Sequence, residues 1–83
     1  MDKTAITLDY PIQIDGTEVR VLQIRRPKVR DQVLAGKLGG TEEDKEIRLF
    51  ANLCEIAPEN IEDLDMCDYK KLQDAYRGFF DSK

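Results

Sequence analysis

The feature that most constrains this chain is an alternation near its start. Ile6, Leu8, Tyr10, Ile12 and Ile14 occupy every second position, and in an extended strand successive side chains point to opposite faces, so all five would share one side. A helix would scatter them around its circumference. Asp15-Gly16 follows directly, a pair suited to the positive φ values of a two-residue hairpin turn, and the β-rich run from Thr17 to Arg25 comes next. The pattern predicts an antiparallel hairpin over residues 1–26.

With such a turn Val19 faces Ile12 and Val21 faces Tyr10, yet the apolar phase then slips to Leu22 and Ile24. One extra residue near Val21–Leu22, a β-bulge, would return both side chains to the apolar side, so a bulge or an early end to pairing is expected there. Pro11 cannot donate a ladder hydrogen bond, which a lone hairpin tolerates because both of its strands have an open edge. Such a hairpin is marginal in water and needs helices on its apolar face.

Residues 27–83 supply them. Pro27 suits the first position of a helix, where its missing N–H has no intrahelical partner, so a first helix is expected from about residue 27 toward Gly36, Gly39 and Gly40. At about 100° per residue Val29 and Val33 lie on one side of it and Leu34 and Leu38 roughly opposite. A short helix apolar on two sides either wedges into a core or shows one side to a partner. Thr41 is an N-cap for a second helix whose first turn is acidic, and Ile47, Phe50, Ala51 and Cys54, with Leu49, Leu53 and Ile56 beside them, make it apolar over most of its circumference. That marks a central helix. Pro58 opens a short turn that spaces Ile61 and Leu64 three apart, and Asp65 caps a last helix with the stripe Tyr69, Leu72, Tyr76 and Phe79. Its opposite face carries Lys70, Lys71, Asp74 and Arg77.

The expected fold class is therefore α+β, an N-terminal two-stranded antiparallel β-hairpin followed by a bundle of three to four helices, in a single domain over residues 1–83. A domain of this size buries only about 60–65% of its unfolded surface, so its core is modest.

Charge divides unevenly. Residues 1–40 balance at +2 and residues 41–83 at −6, giving the net −4. Affinity for nucleic acid comes mainly from Lys and Arg neutralising phosphates, and an acidic domain is a poor start for that. The chain has no histidine, which removes the commonest general base and any Ser/His/Asp or Cys/His nucleophile. Two cysteines, Cys54 and Cys67, are too few and too far apart for a zinc site. The stretch "GKLGG" lacks the length and ending of a phosphate-cradling loop. No catalytic, cofactor or metal residues are expected. No apolar run approaches the roughly 18 residues of a membrane span and the start has no signal-like pattern, so a cytosolic protein without a membrane partner is expected.

The segment "IRRPKVRD", residues 24–31, concentrates cations at the strand-to-helix joint. Arg26 falls where the N-cap is expected and Arg25 just before it, so two cations face the positive end of a helix dipole, a placement that costs roughly 0.3–1 kcal/mol each. Asp31 offsets part of that. Either these side chains bend into solvent, or Arg25, Arg26, Lys28 and Arg30 receive carboxylates from the acidic second half, a neighbouring copy or a partner.

Taken in order, "ITLDYPIQIDGTEV", "IRRPKVRD" and "ANLCEIAPENIEDLDMCDYKKLQDAY" resemble the small tail assembly chaperones of long-tailed bacteriophages, the Mu-like group in particular, in their short form. The resemblance implies a protein that is not an enzyme, binds the tape measure protein, keeps it soluble and promotes assembly of the tail tube around it. It also implies the cytoplasm of the infected or lysogenic host as its place of work, and absence from the mature virion. The major tail tube protein enters as a partner through a longer frameshift product, whose existence this sequence does not show. Pattern, rather than the family, supplies the candidate contacts: Val29, Val33, Leu34 and Leu38 on the two-sided helix, Phe79 and Phe80 at the far end, and the cations Arg25, Arg26, Lys28 and Arg30. An open hairpin edge offers a route to self-association. The alternatives are a small DNA-binding regulator using the basic segment 25–30, and a structural or adaptor protein of the tail.

Overall fold

Asp15 and Gly16 take φ values of 52° and 81°, both in the left-handed region, and so join β1 (Lys3–Ile14) to β2 (Thr17–Arg25) by the tight turn their identities favour. The structure, a computed structural model, describes residues 3–81. After the hairpin come α1 (Val29–Lys37), α2 (Glu42–Cys54), α3 (Pro58–Glu62) and α4 (Met66–Gly78). The α+β class, the hairpin and the helical bundle are as the sequence predicts.

Pairing differs in one place. Ile14 stands opposite Thr17 and Ile12 opposite Val19, as expected from the turn, but the ladder resumes with Thr7 opposite Val21 and Ile6 opposite Leu22. The irregularity therefore lies in β1, where residues 8–11 face Arg20 alone, and not in β2 at Val21–Leu22. An odd number of extra residues on either strand corrects the phase equally well. Leu22 and Ile24 do reach the core, and Tyr10, predicted to share the face of Ile6 and Ile12, is instead 60% exposed. Pro11 sits in this unpaired stretch, where its lack of an N–H costs no ladder bond.

The first helix also begins later than predicted. Lys28, not Arg26, is its N-cap, with extended φ and ψ of −119° and 162°, and Pro27 precedes the cap. The cause is Asp31, whose carboxylate accepts the Lys28 N–H at 2.8 Å and fixes the helix start there. At the other end Gly39 and Gly40 take positive φ. A Cβ on Gly40 would lie 2.8 Å from Asp44 Oδ2, the oxygen that accepts the Thr41 N–H while Thr41 Oγ1 accepts that of Asp44. This capping box starts α2 as read from the sequence.

Hairpin and helices close over one core. Ile6, Leu8, Ile12, Leu22 and Ile24 come from the strands, Leu49, Phe50, Ala51, Leu53 and Cys54 from α2, and Ile61, Leu64 and Leu72 from the chain that follows it. Phe50 is fully buried between Tyr69 and Tyr76, its ring centroid 5.7 and 5.5 Å from theirs in edge-to-face geometry. Helix α2 packs on β2, while α3 and α4 pack on β1. Helix α1 leans chiefly on α2 and contributes Ala35 and Asp31 as its buried residues.

Candidate partner-binding surface

The joint between β2 and α1 is built around Asp31. Arg25 Nη2 and Nη1 approach its two oxygens at 2.8 and 3.0 Å, a bidentate pair with Asp31 almost wholly buried. The guanidinium hydrogen bonds hold the Asp31 carboxyl below its ordinary range despite its burial, and the same contact raises Arg25. Arg25 is thus the last residue of β2 and clamps the start of α1. Arg26 lies over the Phe79 ring, 5.8 Å from its centroid. Among the described residues Lys28 and Arg30 make no ion pair, which leaves a small cationic footprint for a polyanion.

Arg48 on α2 secures the other end of α1. Its Nε donates to the Ala35 carbonyl at 3.0 Å and its Nη2 to the Gly39 carbonyl, where the helix dipole favours a cation. Between these two clamps α1 stands proud of the core. Val29 is 82%, Val33 54%, Leu34 49% and Leu38 81% exposed, so both apolar sides of the helix face solvent and, of the two alternatives the sequence leaves open, the core wedge is not formed. Phe80 is exposed too, in edge-to-face contact with Tyr76, whereas Phe79 is half-buried against the core. Val29 and Val33 lie on α1 and Phe80 beyond α4, with Arg26 over Phe79 on one side and Tyr76, which shares a groove with Gln32 and Ala35 of α1, on the other. Grooves run along both flanks of α1, one lined by Leu34, Ala51, Ile56 and Pro58, the other by Gln32, Leu49, Tyr76 and acidic residues of α2.

A second polar cluster lies where α4 meets β1. The Asp68 carboxylate, fully buried, accepts the N–H groups of Asp9 and Tyr10 at 2.9 and 3.0 Å, the donors that the β1 bulge frees from the ladder. Burial would raise the Asp68 carboxyl, but these N–H groups and the Lys71 ammonium outweigh it and leave it below its ordinary value. Asp9, Cys67 and Asp68 bring possible metal-ligand atoms within 4.8 Å of one another. Lys71 Nζ lies 3.2 Å from Asp9 and 3.3 Å from Asp68, so the positive charge this cluster attracts is the chain's own. The Asp65 hydrogen bond and the nearby carboxylates push the Cys67 thiol up to about 11, and burial does the same for Cys54, so both are protonated and poorly nucleophilic at neutral pH. Burial and Glu46 raise the Tyr69 hydroxyl, which donates to that carboxylate.

Sequence reasoning missed Asp68 and the clamping role of Arg48. The signal for Asp68 was present: it occupies the same helical stripe as Leu72, Tyr76 and Phe79, and a charged residue on an apolar stripe calls for a buried partner. Arg48 carried no such mark.

A surface helix that displays its apolar side chains, and no cluster equipped for chemistry among the described residues, agree with one comparison. Residues 5–81 match the family described as phage tail assembly chaperone proteins, E, or 41 or 14. The chain belongs to that family. No curated protein and no solved structure matches it. A tail assembly chaperone acts by binding tail proteins, and tail assembly chaperones are not a known enzyme class. No helix among the described residues is long and apolar enough to cross a membrane.

Proposed function

We propose that this chaperone binds the tape measure protein, keeps it soluble and promotes polymerisation of the tail tube around it, without catalysis of its own. The observation that carries the reading is α1, which gives two apolar faces to solvent while charge clamps at both ends hold it in place. A long helical client presents repeated apolar ridges, and helix-in-groove contact is the mode that matches such a surface. Its place of action is the cytoplasm of the infected or lysogenic host, and it is left out of the finished virion. A tail tube contact would come through a longer product of the same start.

Co-expression with the tape measure protein tests this directly. The soluble fraction of the client is expected to rise, and client and chaperone to purify together, with both effects lost in a Val29→Asp/Leu38→Asp variant. Unchanged client solubility beside the wild-type chain would refute the proposal, and chaperone retained stoichiometrically in purified tails would point to the structural role instead.

A further inference from the structure

The two grooves beside α1 differ in chemistry. That bounded by Leu34, Ala51 and Ile56, about 330 Å³, is apolar, and its cation Arg48 is already committed to backbone carbonyls. The other, about 540 Å³, has Ala35, Leu49 and Tyr76 as its floor and Glu42, Glu43 and Glu46 along its α2 side. Lys45 is the cation lining it, its ammonium 3.9 Å from Glu42. Glu46 already accepts from Tyr69 and Gln73, while Glu43 makes no ion pair among the described residues. Acids in the first turn of a helix are favoured by its dipole, and Glu46 is held by Tyr69 and Gln73, but neither accounts for the open trough between α1 and Tyr76 that these acids border.

We propose that this acidic-edged trough seats a client helix whose apolar ridge is flanked by Lys or Arg. The inference rests on the tape-measure reading above and names the segment chemistry it requires. The ridge lies over half-buried Tyr76, above the buried Ala35 and Leu49, and the flanking cations meet Glu42 and Glu43, both exposed at the rim. Charge of this kind steers encounter and sets register, and it rejects ridges flanked by acids. A second copy is the poorer occupant. Its segment of matching chemistry is α1, and seating that helix would pack two α1 helices, each carrying Arg30 and Lys37, against one another.

The test titrates overlapping synthetic peptides of the tape measure protein against the full chain at low and high salt. The peptides that bind are expected to carry Lys or Arg beside an apolar ridge. An E42K/E43K variant should weaken them by about tenfold or more at low salt, with the gap closing as salt rises. An E59K/E62K variant makes the same change of charge on exposed α3 positions away from the trough and should stay within about twofold of wild type. E42Q/E43Q, which adds no cation to the start of α2, should give an intermediate loss and guards against unfolding of the reversed variant, checked by thermal melting. Equal binding by wild type and E42K/E43K, or selection of acid-flanked peptides, overturns the trough while leaving the chaperone reading intact. If the wild-type chain neither binds any peptide nor improves client solubility, the reading beneath the proposal falls and the proposal with it. If E42K/E43K abolishes concentration-dependent self-association but spares peptide binding, the occupant is a second copy, which also overturns it.

Discussion

Asp68 Oδ1 accepts the backbone N–H of Asp9 at 2.9 Å, across 59 positions of sequence. Its second oxygen takes the neighbouring Tyr10 N–H, so one carboxylate on α4 completes the hydrogen bonding of a strand that has left its ladder. Asp68→Ala strands both donors, and a buried donor without an acceptor costs about 1–3 kcal/mol. The expected loss is roughly 2–3 kcal/mol in urea unfolding, read as a lower midpoint with an unchanged slope. A loss under about 0.5 kcal/mol would mean that water replaces the carboxylate at no cost.

Asp31 is the matching device at the joint. Removing it leaves the Arg25 guanidinium facing the start of α1 and the Lys28 N–H without its acceptor. Arg25 is partly open to solvent, so Asp31→Ala should cost about 2–3 kcal/mol rather than the roughly 3–5 kcal/mol of a fully buried broken pair. Arg25→Lys keeps the charge but not the fork, and should cost less than half as much.

Asp31 and Asp68 together set an acid limit. Both carboxyls are held below their ordinary values in the folded chain, so in acid the unfolded chain binds more protons. The stability they contribute is fully present above the unfolded value of about 3.9 and is lost as pH falls through their lower folded values. Chemical denaturation at a series of pH values should show a midpoint that declines below about pH 4. The decline should be shallower in Asp31→Asn and in Asp68→Asn, and an acid arm of unchanged steepness in both would show that other carboxylates set it.

Glu55 ends α2 in the left-handed conformation, at φ 61° and ψ 42°, with Ile56 N–H reaching the Ala51 carbonyl. Glycine takes this conformation without the Cβ penalty that Glu carries. Glu55→Gly should therefore raise stability by about 0.5–1 kcal/mol, the left-handed strain relieved less the entropy cost of glycine, measured as a higher melting temperature. A fall would show that the Coulombic attraction between Glu55 and Arg25 outweighs the backbone strain.

Stability and client binding should separate at α1. Leu38→Ser removes an 81%-exposed side chain and should alter stability by less than about 0.5 kcal/mol, while reducing recovery of the client. Phe50→Ala, at the centre of the aromatic cluster, should cost about 3–5 kcal/mol. If Leu38→Ser destabilised to a similar extent, α1 would be part of the core rather than a contact surface.

Much of this was legible because it is local. The Asp15-Gly16 turn, the Thr41 and Asp65 caps and the stripe of α2 depend on residues within a few positions of one another, and each appears where the sequence places it. What the sequence misplaced depends on distant partners. Phase alone cannot say which strand of a hairpin holds the extra residues, and it is Asp68 that provides for a break in β1. Pro27 fits a helix start by propensity, but the Asp31 carboxylate draws the cap to Lys28. The acidic trough was hidden for a similar reason: Glu42, Glu43 and Glu46 read as a charged helix start until α1 and Tyr76 are brought against them.

The link between Asp68 and the β1 bulge also bears on the order of events during synthesis. The hairpin emerges from the ribosome well before α4 exists, and until then the Asp9 and Tyr10 N–H groups have only water as acceptor. Closing that span costs chain entropy that the contacts of β1 with α4 then offset, which ties the first strand and the last helix into one late step. Helix α1 takes no part in that step. It is fastened instead to β2 through Asp31 and to α2 through Arg48, so the surface proposed for a client is assembled apart from the closure that joins the two ends of the chain.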